Sequence, residues 1–237
     1  MNDQAKKIGA ISIFFIIAIS LRYYTSVVNP SFLSEINPYL KALLQGIGPL
    51  VGGLILVKFF NRPNFLKLFS LGFAKTVAIV LIPITLFSLA GFSLGLSSRS
   101  IAKIIGTFIL YAAFEEYGWR GYLQSELSGM KNVYKYLLIA VLWFVWHLNF
   151  ELSVGNLIFF LALFAGSYGI GFVADRSKSL VMAALFHSFF NIFQAGELAE
   201  IPLSYKLSII GISAVAAILI MRYKNPKTAD VEVELAV

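Results

Sequence analysis

The residues of this chain that can do chemistry are few, and they lie where water is scarce. Its two histidines, His147 and His187, are both inside hydrophobic segments, as is the consecutive acidic pair Glu115-Glu116. Arg120 follows four residues after Glu116, and Asn191 four after His187, so each pair shares a helical face. Glu115 points about 100° away from Glu116, so the two carboxylates have different jobs. Buried ionisable groups cost roughly 2.5–3.5 kcal/mol each on insertion scales, which makes them rare in membranes and usually functional. A carboxylate and an imidazole sharing a pocket can activate water, and an amide can donate to an oxyanion. Each piece also has a plainer reading. Glu116–Arg120 can be a structural ion pair, and Asn191 or a single His can be helix-packing glue.

Composition fixes the medium. Of 237 residues, 59% are hydrophobic and only 13% charged, against about a quarter charged in soluble domains. Apolar runs recur along the whole chain, as in an integral membrane protein. There is no cysteine, which excludes disulfides, thiolate nucleophiles, Cys-ligated zinc and iron–sulfur clusters. The formal charge of +7 is explained by basic cytoplasmic loops, without nucleic acid.

The spacing predicts an all-α, polytopic bundle of about eight transmembrane helices, each about 20 residues long. The spans are 8–28, 39–59, 73–96, 101–126, 135–150, 155–174, 179–196 and 204–222. Barrel strands would be shorter and would alternate apolar with polar. Gly46, Gly48, Gly52 and Gly53, with Gly166, Gly169 and Gly171, are expected to let helices approach closely. Pro49 and Pro83 are expected to bend their helices. The chain reads as one membrane domain, 1–224, with its motif-bearing core at 101–195. The polar, acidic segment 225–237 is expected to be a disordered cytoplasmic tail.

Loop charge sets the orientation. Lys6, Lys7, Lys58, Arg62, Lys67, Lys75, Lys131, Lys135, Arg176, Lys178, Arg222, Lys224 and Lys227 fall on one side, and the alternate loops are poorer in cations. The positive-inside rule then puts both termini in the cytoplasm, a parity that eight spans satisfy and seven do not. The expected location is the plasma membrane of a bacterium. Arg22 reads as an interfacial anchor that snorkels, and Glu126 and Asp175 as solvated boundary residues. Trp119, Trp143 and Trp146 read as packing or lipid-facing residues. At 1.5 Å per residue, Glu115, His147 and His187 all fall ~12–18 Å from the cytoplasmic boundary. One shared pocket explains that agreement.

In sequence order the motifs are E-E-x-x-x-R (Glu115 to Arg120), aromatic-x-x-x-H (Trp143 to His147) and H-x-x-x-N (His187 to Asn191). This series resembles the CPBP (CAAX protease and bacteriocin-processing) intramembrane endopeptidases, which include the Ras-converting endopeptidase and bacterial Abi-type proteins. The stretch from Gly171 to Arg176 is similar to the family's lead-in to its third motif. Position 143 departs from the pattern: it is Trp here and usually Phe in the family. The resemblance implies an intramembrane endopeptidase with a site open to the cytoplasm, acting on a peptide or a membrane protein in the lipid bilayer. It makes Glu115 the general base and His147 its partner in activating water. His187 and Asn191 become the oxyanion donors, and Glu116 and Arg120 orient the site. Two chemistries stay open. One is metal-free; the other uses zinc held by Glu115, His147 and His187. The missing H-E-x-x-H signature weighs against obligatory zinc, so no cofactor is required by the sequence.

Two other classes compete. A non-catalytic immunity or regulatory protein of the same fold would bind without cutting, but binding alone does not require all of Glu115, His147, His187 and Asn191. A proton-coupled transporter would use the same residue types, but the matched broken half-helices and inverted repeats of such proteins are missing from the sequence.

Overall fold

The computed structural model describes residues 2–223, so the expected tail at 225–237 lies outside the described residues. Those residues form helices and connections, with one isolated β-bridge between Lys67 and Ser179. Helix α1 covers Asp3–Tyr23 and continues as a π-helical turn over Tyr24–Val28. After a short α2 (Ser31–Glu35) come α3 (Pro38–Phe59), α4 (Phe73–Ser93) and α5 (Ser98–Glu116). Helix α5 passes without a break through a π-helical segment, Tyr117–Leu123, into α6 (Gln124–Glu126). The rest are α7 (Asn132–Trp146), α8 (Val154–Ser177), α9 (Leu180–Ile192) and α10 (Leu203–Arg222). Every expected span coincides with a helix, and the starts follow cap chemistry. Asn37 caps α3 ahead of Pro38, and Ser97, Ser153 and Ser179 cap α5, α8 and α9.

Helices α1, α3, α4, α8 and α10 are long and apolar enough to cross a membrane. The helix 98–126 is long but carries the charged motif. Helices α7 and α9 are shorter, 15 and 13 residues. At 1.5 Å per residue they rise only ~20–22 Å, less than the ~30 Å of a hydrocarbon core. Helix α7 stops at Trp146, four residues before its expected end, and Leu148 turns the chain at φ 58°. His147, at the end of α7, and His187, within α9, therefore belong to the two shortest of the helices that match the expected spans.

Helix α3 packs against α1 on one side and α5 on the other. The contact is close because a Cβ at Gly48 would sit 2.5 Å from the Ala18 carbonyl oxygen of α1. Pro49 and Pro83 lie inside continuous helices. Helix α5 packs on α9, α9 on α8 and α8 on α7, an arc that surrounds the motif residues. Two apolar clusters flank it. One joins α1, α3, the π segment, α7 and α8 around Phe14, Trp119 and Trp146; the other joins α4, α5, α9 and α10 around Phe87, Ile104 and Phe189.

The connection between α3 and α4 lies across the ends of α6, α8 and α9. Lys67 exchanges backbone hydrogen bonds with Lys178 and Leu180. Arg62 forms an ion pair with Glu126, whose side chain is 3% exposed, and that carboxylate raises the Arg62 pKa further. Glu126 is thus a buried partner and not the solvated residue expected. Asp175 likewise takes hydrogen bonds from Lys135 Nζ (2.9 Å) and the Tyr136 hydroxyl (2.6 Å). Neither pairing was visible in sequence, because each partner lies at least 39 positions away.

Candidate active site

Helix α5 delivers both acidic residues to the interior. Glu115 and Glu116 close its last α-helical turn, 1% and 0% exposed, and the helix widens to π geometry at the next residue. Gly118 lets α3 approach within the widened segment: a Cβ there would run into the backbone carbonyl of Pro49 on α3. A wider turn next to catalytic-type residues is a recurrent feature of functional sites. Sequence reading missed it, because nothing in the apolar pattern separates π from α winding.

Glu116 sits in a closed polar cluster. One oxygen accepts from Arg120 Nε at 3.0 Å, and the other meets His187 Nδ1 at 2.7 Å. Arg120 Nη1 donates to Ser167 Oγ (3.2 Å), and Ser167 in turn donates to the Tyr136 carbonyl (2.9 Å). This ties α5 and the π segment to α7, α8 and α9. Arg120 is fully buried, and its guanidinium lies 5.7 Å from the Trp143 ring centroid. Such a pair is stabilising only while all its members are present.

Glu115 faces the other way, into a cavity of about 230 Å³. The cavity is also lined by His147, His187, Asn191, Trp143 and Tyr111. Glu115 takes one hydrogen bond, from Trp143 Nε1 at 2.8 Å. Trp143 is therefore part of the site, a correction to its reading as a packing residue. His147 caps the end of α7, with Nδ1 2.8 Å from the Trp143 carbonyl. A carbonyl only accepts, so Nδ1 carries the proton and Nε2 of the neutral ring keeps its lone pair. Asn191 Nδ2 is buried and has no hydrogen-bond partner among the described residues. Tyr111 stands four residues before Glu115 on the same helix and also lines the cavity. The helical spacing could have revealed Tyr111; Trp143 was already marked by the aromatic-x-x-x-H motif, though not as a partner of Glu115. Ser167 and Arg22 gave no such signal.

Arg22 also departs from expectation. It turns inward instead of snorkelling, lies 4.6 Å from the fully buried Trp146 ring and donates from Nη1 to the Gln45 carbonyl at 3.4 Å. Trp146 itself donates to the Ala18 carbonyl at 3.0 Å and is a structural tie to α1.

Among the described residues, no three His, Asp or Glu side chains gather closely enough to hold an ion. His187 Nδ1 is bonded to Glu116 and one Glu115 oxygen to the Trp143 indole, which leaves His187 Nε2 and the other Glu115 oxygen open. Glu115, His147 and His187 thus form no ready-made three-ligand set among the described residues.

Two comparisons with known proteins point to one class of enzyme. The family model described as type II CAAX prenyl endopeptidase Rce1-like matches residues 97–193. A CAAX prenyl protease 2 of Methanococcus maripaludis is 28% identical over 193 residues, covering 70% of each chain. The chain is similar to CAAX-type intramembrane endopeptidases across the helices that hold the site, and these matches support a protease embedded in a membrane.

Proposed function

We propose that this intramembrane endopeptidase cleaves its peptide substrate in the cavity where Glu115, His147, His187 and Asn191 meet. The observation that carries the reading is the convergence of these four side chains from α5, α7 and α9 on one pocket. In this reading Glu115 takes a proton from water while the His147 Nε2 lone pair orients that water. The hydroxide attacks the scissile carbonyl. Asn191 Nδ2 and, when protonated, His187 Nε2 donate to the developing oxyanion. Glu115 then returns its proton to the leaving amine. Glu116, held by Arg120, fixes the ring of His187 through Nδ1, as a second carboxylate commonly does for a working imidazole. Apolar lining by Phe159, Phe186 and Phe190 limits the water that reaches the site and strengthens each of these interactions.

We place the termini and the loop 60–72 in the cytoplasm, on the strength of the basic loops. The substrate is then a peptide, or the end of a membrane-associated protein, that reaches the site from that side.

The test uses detergent-purified wild type, Glu115→Ala and His147→Ala, assayed on a panel of apolar C-terminal peptides with and without a chelator. Both variants should lose turnover while remaining folded, and the chelator should leave wild type unaffected. Equal activity in the variants would remove the assignment. Loss of wild-type activity on chelation alone would restore a metal mechanism.

A further inference from the structure

A second cavity, of about 220 Å³, lies between α8, α9 and α10. Helix α10 packs on α4 and stands off α8, and the cavity occupies the gap between them. Its walls are apolar, with Val173 from α8, Leu185 and Phe189 from α9, and Ala214 and Ile218 from α10. On α10 the lining runs from Ile210 to Met221, about 16 Å at 1.5 Å per residue. That is the depth of one leaflet, half of the ~30 Å hydrocarbon core. The slot therefore matches the reach of one acyl chain, from headgroup level to the bilayer midplane.

The slot has a charged end. Where the last turns of α8 and α10 meet it, Arg176 lines the cavity, its guanidinium 5.2 Å from the Phe172 ring. Arg176 forms no ion pair among the described residues, and the neighbouring Asp175 is engaged with Lys135 and Lys178. Lys75 stands one turn before Ile79, which lines the cavity from α4. Its Nζ donates to the Tyr223 carbonyl just beyond α10 (2.8 Å), and it too has no acidic partner among those residues. Further in, Ser213 is 7% exposed and its hydroxyl has no hydrogen-bond partner among the described residues. A helical serine ordinarily donates to the carbonyl four residues back, as Ser208 does to Ser204. Two cations without acids at one end and an unmet hydroxyl along an apolar slot are the complement of an anionic phospholipid.

We propose that this cavity binds one anionic glycerophospholipid of the surrounding leaflet. The phosphate meets Arg176 and Lys75, one acyl chain fills the slot, and Ser213 offers its hydroxyl to the ester that joins them. The deep part of the slot is bounded by Phe189 and Ile210, which with Phe186 also wall the cavity that holds Glu115. The lipid thus braces α9, the helix that carries His187 and Asn191. Binding at this site does not depend on the protease reading.

The experiment uses wild type, Arg176→Gln, the double variant Arg176→Gln/Lys75→Gln, and Ala214→Phe. Each is purified in a neutral detergent, stripped of lipid and titrated with phosphatidylglycerol or with phosphatidylcholine of the same chains. Native mass spectrometry counts the bound lipid. Wild type should take up one phosphatidylglycerol and prefer it roughly 5- to 25-fold, about fivefold for each cation at the headgroup. Arg176→Gln should cut that preference about fivefold and the double variant should abolish it, both keeping their affinity for phosphatidylcholine. Ala214→Phe fills the slot from an exposed position and should lose both lipids. Glycerol 3-phosphate carries the phosphate without the chains and should not compete. Equal wild-type affinity for the two lipids overturns the proposal. So does an unchanged preference in the double variant, retention of the lipid by Ala214→Phe, displacement by glycerol 3-phosphate, or a second copy of the chain bound in place of lipid. If Ala214→Phe fails to fold, the double variant and the competition decide.

Discussion

Glu115 and Glu116 are adjacent and equally buried, yet they belong to two differently built regions. On the Glu116 side each carboxylate oxygen has a charged or ring partner, and the cluster extends through Arg120 and Ser167 to the Tyr136 backbone. On the Glu115 side the carboxylate has one neutral donor, and Asn191 has a buried amide with no described partner. The Glu116 side behaves as a scaffold: its bonds to His187 and Ser167 tie α5 and the π segment to α9 and α8, although Arg120 Nη2 is buried with no partner among the described residues. The open side keeps unfilled hydrogen-bonding capacity facing a cavity, which is what a site needs if a substrate is to complete it. On the proposed reading, two residues one step apart in the chain divide structure from chemistry.

The sharpest way to break this division is to neutralise each carboxylate with little change of shape. Glu115→Gln should lower kcat by roughly 10³–10⁴, the upper range for loss of a general base, and leave thermal unfolding in detergent unchanged. Glu116→Ala should do the reverse. It strands Arg120 as an uncompensated buried charge and should destabilise the protein by about 3–5 kcal/mol, read as an earlier thermal or denaturant transition. The double variant Glu116→Leu/Arg120→Met should recover much of that stability, since no lone charge remains. If Glu115→Gln unfolds the protein as readily as Glu116→Ala, the division between scaffold and chemistry is wrong.

A third variant probes the open side away from the acid. Asn191→Ala removes a donor that has no structural partner among the described residues. It should lower kcat by roughly 10²–10³, leave KM near its original value and not affect stability. A large loss of stability would mean that Asn191 serves packing, the plainer reading of an amide in a membrane helix.

The sequence exposed the spans and the motif residues because both depend on local signals: apolar run length, and spacing of three or four along one helix. His187 with Asn191 and Glu116 with Arg120 could be paired this way. The bond between Glu116 and His187 could not, since the partners are 71 positions apart and nothing local sets which ring nitrogen faces the acid. The π segment was hidden for a similar reason. Within it Gly118 is pressed on Pro49, a contact between helices that no local pattern signals. Arg22 was misread because a terminal arginine on an apolar helix snorkels unless a buried surface holds it. That surface, the Trp146 ring, comes from a helix more than a hundred residues later.

Trp143 gives the finest test of the comparison, since it touches both regions. Its ring lies beside the Arg120 guanidinium, and its indole N–H donates to Glu115. Trp143→Phe keeps an aromatic ring and deletes only the donor. If the ring's role is packing, turnover and stability both stay close to wild type. If the N–H positions the carboxylate for water, kcat falls roughly tenfold, in line with one hydrogen bond to a charged group, while KM and thermal unfolding hold. Because Phe cannot donate, the residue that departs from the family pattern is the one that gives Glu115 its hydrogen bond. A drop in kcat at constant KM would show that this chain orients its general base with a contact a Phe-bearing relative must do without.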